Sequence, residues 1–204
     1  MSAERKDMNI LLRESQHSDI SFLRKILYEA VFWRASVDKP CFEQGLAYPD
    51  VSKSLADWGE RDGDVAVIAT IDSIPVGAAW YRFWTDDNFI YGYIDEMTPV
   101  LVIGVDSDYR HQGIGGKMIA WLVEYASKHS VQRTSLSVSK DNYAINLYQQ
   151  QGFVEYADKG DAVIMVRKAQ VVPDSQGDTA TKERFLELGT QRTTLFAGAV
   201  KNVR

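Results

Sequence analysis

Cysteine occurs once in the 204 residues, as Cys41, so no intrachain disulfide can form and a reducing compartment is expected. Long apolar runs are missing as well. No stretch of about 18 apolar residues is available to cross a bilayer, and the opening residues carry no signal-type apolar block. The expected location is the cytoplasm, with no membrane partner. Positive charge is in deficit, 23 Lys and Arg against 28 Asp and Glu, and the net charge of -5 argues against broad nucleic-acid binding. Histidine is scarce too. His17, His111 and His129 lie far apart with no acidic spacing pattern beside them, so no metal site is expected.

What is present is an ordinary soluble composition, 45% hydrophobic and 25% charged, in a chain long enough for one domain and an appendage. The pattern predicts strands at Met8 to Arg13, Val65 to Ile71, Val76 to Phe83, Phe89 to Ile94, Val100 to Val105 and Thr134 to Val138. A closing hairpin is expected from Phe153 to Tyr156 and Ala162 to Arg167. Helices are expected from Asp19, as N-cap, to Phe32, and at Asp50 to Trp58, Gly113 to His129 and Asn142 to Gln151. Strands bracketing helices in this order indicate a three-layer α/β/α domain with a central mixed, mostly antiparallel sheet. Its expected span is residues 1–168. After Lys168 the composition changes: Pro173 and the polar run Asp174 to Thr181 indicate a linker, and Thr181 to Leu188 could make a short docking helix in an extension over 169–204.

The most informative stretch runs from Val105 to Gly116. An apolar strand leads into Arg110-His111-Gln112-Gly113-Ile114-Gly115-Gly116, and a long amphipathic helix follows. Glycines let backbone approach a ligand, and the free N–H groups at a helix start suit an anion such as a diphosphate. Two common phosphate motifs do not fit. A P-loop needs Gly-Lys-Ser/Thr, but Lys117 is followed by Met118. The dinucleotide fingerprint G-x-G-x-x-G does not match the spacing of Gly113, Gly115 and Gly116.

What fits is Gln/Arg-x-x-Gly-x-Gly/Ala, with Arg110, Gly113 and Gly115 at the signature positions; it resembles the coenzyme A pyrophosphate loop of the GNAT superfamily of acyl-CoA N-acyltransferases. A second segment, Asn142 to Phe153, is similar to the Asn, spacer and A-x-x-L-Y-x-x-x-G-F run that closes that superfamily's core. The resemblance covers about Met8 to Arg167. It implies acetyl-CoA as acyl donor, held by the amides of Arg110, His111, Gln112, Gly113, Ile114, Gly115 and Gly116, by backbone groups near Ile103 and Val105, and by Asn142. Asn142 is equally a helix cap. His111 departs from the glycine usual after the signature arginine, but histidine tolerates unusual backbone angles.

The resemblance also assigns Tyr148 as the acid that protonates the departing thiolate. A phenol, with an ordinary pKa of about 10, is protonated at neutral pH. Some family members carry a glutamate on the motif strand, but Val100-Leu101-Val102-Ile103 offers none, so Glu96 just upstream is the candidate base, with Asp95 beside it. The aromatics Trp33, Trp80, Tyr81, Trp84, Tyr91 and Tyr93 suit a small-molecule cleft, though about half are expected to be core. Neighbouring Asp86, Asp87, Asp95 and Glu96 would favour a cationic amine. The function expected is acetylation of a small primary amine by direct attack in a ternary complex. A peptide N-terminus as acceptor, or a non-catalytic acyl-CoA-binding module, are the alternatives. Association into a homodimer is compatible with either.

Overall fold

The computed structural model describes residues 9–34 and 38–169. Seven strands form one sheet: β1 (Ile10–Glu14), β2 (Val65–Ile71), β3 (Ile74–Arg82), β4 (Val100–Val105), β5 (Arg133–Ser139), β6 (Val154–Asp158) and β7 (Ala162–Lys168), in the order β1-β2-β3-β4-β5-β7-β6. Every neighbouring pair is antiparallel except β4 and β5. The helices are α1 (Ile20–Val31), α2 (Phe42–Leu46), α3 (Pro49–Ser52), α4 (Ile114–Lys128) and α5 (Ala144–Gln150). The expected α/β/α arrangement with a mixed, mostly antiparallel sheet is present.

Both faces of the sheet centre are covered, which is why β2 is apolar and buried along its whole length. Val65, Val67 and Ala69 join α4 residues Ile114, Met118 and Leu122 on one face. Ala66 and Ile68 join Leu23, Ile26 and Leu27 of α1, and Val51 of α3, on the other. Helix α1 rests almost directly on β4: a Cβ built on Gly104 would stand 2.8 Å from Ile26 Cγ2 and 2.9 Å from Ile26 O. The β2–β3 hairpin turns at Asp72 (φ 49) and Ser73 (φ 67), both left-handed, as a tight primed turn demands. Pairing therefore begins at Ile71↔Ile74, two residues before the expected start of β3.

Three expectations are corrected. Asp19 holds the N-cap position of α1, but its backbone is helical and its side chain makes no cap bond. Its carboxylate accepts from Gln16 N (2.7 Å) and pairs with Arg13 (2.7 and 2.8 Å) instead. Phe89 to Ile94 is not a strand; Gly92 adopts φ 104 and packs against the backbone of Leu136 and Ser137, a posture that ends any extended run. The expected helix from Asp50 to Trp58 shortens to α3 and a 3-10 turn at Lys53–Leu55, and α2 was not foreseen. The expected helix at Thr181 to Leu188 lies outside the described residues.

Candidate functional site

Strands β4 and β5 share one residue pair in register, Val100↔Ser135, with Ser135 N donating to Pro99 O at 3.0 Å. Beyond it they diverge, and a cleft of about 700 Å³ opens between them. The phase of β4 follows from Asp106 N, which donates to Val76 O at 2.9 Å next to the pair Gly77↔Val105. Hydrogen-bonded pairs alternate in an antiparallel ladder. Even-numbered residues of β4 therefore bond to β3, while Leu101, Ile103 and Val105 turn their N–H and C=O groups toward β5. The C=O of Val105 is taken by Arg110 Nε at 3.0 Å. Ile103 falls where the strands have parted, so its main-chain groups face the cleft.

At the end of β4 a 3-10 turn, Ser107–Tyr109, delivers the chain to the glycine loop. His111 stands at φ 60 and Gly113 at φ 79, so histidine does take the unusual angle anticipated for it. None of the N–H groups from His111 to Gly116 finds an acceptor among the described residues; the first helical bond of α4 is Lys117 N to Gly113 O at 3.3 Å. Consecutive unpaired amides at a helix start form a concave anion site. The two signature glycines do different work. A Cβ on Gly113 would meet nothing within 4 Å, so the left-handed angle is what demands glycine there. A Cβ on Gly115 would press Leu147 Cδ2 at 3.0 Å, so glycine there serves the close packing of α4 on α5, and the residue also lines the cleft. Arg110 spends its guanidinium on Val105 O and on Glu29 (2.9 Å). Gln112 is exposed and outside the cleft lining, leaving only its N–H to serve.

Across the cleft, Tyr148 of α5 is buried, packs edge-on against Phe153 (6.0 Å between centroids), and lines the opening. Its hydroxyl has no hydrogen-bond partner among the described residues. Burial, with a smaller contribution from Tyr143, raises its pKa well above the ordinary phenol value. Asn142 Oδ1 accepts from Ala144 N at 2.9 Å, holding the first amide of α5 from just outside the N-cap Tyr143; the same residue lines the cleft.

Glu96 does not join this assembly. It is exposed and absent from the cleft walls, so it is not placed as the base expected of it. The carboxylates near it are engaged: Asp95 with Arg133 and Thr98, Asp86 with Tyr93, Asp87 with Thr85. Of the aromatic set, Trp33 and Tyr91 line the cleft, whereas Trp80, Tyr81 and Trp84 are core. Tyr93 packs half-buried beside Trp84. Unforeseen in the lining are Glu29, Arg34, Asp50, Ser54 and Tyr143. Only Tyr143 had a local signal, its place inside the second motif.

Beneath the far end of the cleft lies a buried ion pair. Arg82 is bound to Asp64 through Nε (2.7 Å) and Nη2 (2.6 Å), with side chains 1% and 2% exposed. Its guanidinium also donates to Ala56 O (2.6 Å) and Asp57 O (3.1 Å) and sits against the rings of Trp58 and Trp84. Arg82 thereby fixes the segment after α3, whose Ser54 lines the cleft. Among the described residues no three His, Cys, Asp or Glu side chains gather to hold a metal ion, and no helix is long and apolar enough to cross a membrane.

The family model described as Acetyltransferase (GNAT) family matches residues 29–153, more than half of the chain. The chain belongs to this family. It is thus an acyltransferase enzyme. Among solved structures, the GNAT chain is similar to a ribosomal-protein-alanine N-acetyltransferase from Brucella melitensis, at 23% identity and a TM-score of 0.57, over 78% of this chain and 99% of that one. It is also similar to PaiA N-acetyltransferase from Thermoplasma acidophilum in complex with coenzyme A (18%, TM-score 0.56, 79% and 99% covered). A third likeness is to YncA from Salmonella typhimurium with its cofactor acetyl-CoA (18%, TM-score 0.56, 82% and 99%). At such identities the likeness is one of fold. No curated protein matches the sequence.

Proposed function

We propose that this GNAT enzyme transfers an acetyl group from acetyl-CoA to the primary amine of a small molecule, by direct attack in a ternary complex. The observation that carries the reading is the parting of β4 and β5, which leaves Ile103 main-chain groups open between an amide cradle and Tyr148. The donor supplies an activated thioester. The amides of His111 to Gly116 hold its diphosphate, Asn142 and the β4 edge align its arm, and the Ile103 N–H polarises the carbonyl. Tyr148, kept protonated by burial, gives its proton to the departing thiolate. With Glu96 outside the cleft, the attacking amine loses its proton to water.

The acceptor end supports a small substrate. Leu27, Val31, Ile90 and Tyr91 give apolar surface, and Asp50 and Ser54 are the polar groups among them. A mostly apolar pocket with few polar anchors suits a compact ligand. The test is thiol release from acetyl-CoA against a panel of small amines and of peptides with free N-termini. Turnover of small amines is expected. Turnover of peptides alone would assign the acceptor to a protein N-terminus, and coenzyme A binding without any turnover would leave a binding module.

A further inference from the structure

We propose that Lys25 and Glu29 are positioning residues for the amide cradle, setting its posture from α1. Both lie on one stripe of that helix, four residues apart, and they carry opposite charges. Lys25 Nζ reaches Asp106 Oδ2 at 2.5 Å. Glu29 Oε2 accepts from Arg110 Nη2 at 2.9 Å, within a pair whose side chains are only 22% and 20% exposed. Asp106 and Arg110 bracket the 3-10 turn that leads into the cradle, and each has a second bond that passes the constraint on. Asp106 Oδ1 accepts from Asp108 N at 3.4 Å, and Arg110 Nε donates to Val105 O at 3.0 Å.

The two ties define a register. Sliding α1 by one turn would bring Lys25 toward Arg110 or Glu29 toward Asp106, like charge on like charge. The helix itself is seated on β4 at Gly104, so the ties run from a fixed body to the loop. This also gives Arg110 a purpose that needs no contact with phosphate: its guanidinium is consumed in holding the turn, and the ligand-facing surface is left to backbone amides. The inference rests on the loop being the diphosphate site.

Calorimetric binding of coenzyme A, and kinetics with acetyl-pantetheine, a donor with the thioester arm but no diphosphate, separate the possibilities. Glu29→Gln is expected to weaken coenzyme A binding about tenfold, as coupling energies between contacting residues allow, and to raise KM for acetyl-pantetheine far less. Lys25→Gln, outside the cleft lining, should show the same selectivity with a smaller loss. In an Arg110→Gln background Glu29→Gln should have no further effect. Unchanged coenzyme A affinity in both single variants, or equal losses for both donors, would overturn the inference while leaving the cradle in place. A wild-type chain that does not bind coenzyme A would overturn the cradle and the inference together. Thermal unfolding of each variant checks that it is folded.

Discussion

The two ends of the cleft are built on different plans. The proposed donor end is one continuous stretch of chain, Val105 to Gly116, that offers unpaired main-chain amides. The proposed acceptor end is made of side chains drawn from α1, α3, the 3-10 turn after it and the loop near Tyr91, with Arg82 holding one of those pieces from below. A backbone surface tolerates change in side chains as long as the dihedral angles survive. A side-chain surface is specified by tertiary placement. The first plan suits a donor common to a family, the second an acceptor that differs among its members.

The largest effect expected on that contrast comes from Arg82→Met. Removing one member of a buried pair strands Asp64 and should cost about 3–5 kcal/mol in denaturant unfolding. Below its melting transition the variant should lose amine turnover while still binding coenzyme A. A parallel loss of coenzyme A affinity would show that the two ends are not separable. Tyr148→Phe is expected to lower turnover on the order of 10²-fold with donor affinity retained; near-normal turnover, with chemistry limiting, would make Tyr148 a packing residue.

The same contrast explains what could be read without coordinates. The strand, turn and helix start of the proposed donor end were legible because they are contiguous, and His111 at φ 60 fits the tolerance expected of that residue type. Glu96 was misplaced because exposure is a property of position in the fold: two residues from a buried Thr98, it still faces solvent. About half of the aromatics were expected to be core, and the fold decides which: β3 is buried on both faces and takes Trp80 and Tyr81, and Trp84 is buried just beyond its end. The short helix α2 has too few residues for a periodic signal. It is held by tertiary contacts instead, Tyr28 against Phe42 at 5.5 Å and Leu46 in the α1 cluster.

Gly113→Ala tests the backbone plan on its own. No protein atom crowds a Cβ there, so within the chain itself the change acts through the left-handed angle, about 1–2 kcal/mol, or about tenfold in coenzyme A affinity. Unchanged affinity would mean that the cradle is not set by that angle. The smallest effect concerns pH. Because burial raises the Tyr148 pKa, its neutral form persists through the working range, and no alkaline fall in turnover from this group should appear below pH about 10. The rate should instead climb toward the amine's own pKa, and an alkaline limb that vanished in Tyr148→Phe would show that burial does not hold the Tyr148 pKa above that range.

Gly104 closes part of this sequence to drift. An alanine there would meet Ile26 twice, once through a methyl group and once through the main-chain oxygen. A smaller residue at position 26 relieves only the first of these, so no compensating substitution on α1 suffices. The helix would have to rise from the strand, drawing Lys25 and Glu29 away from Asp106 and Arg110 as it went. In a lineage descending from this chain, Gly104 should therefore change late or not at all, while the exposed positions of α1 turn over around it.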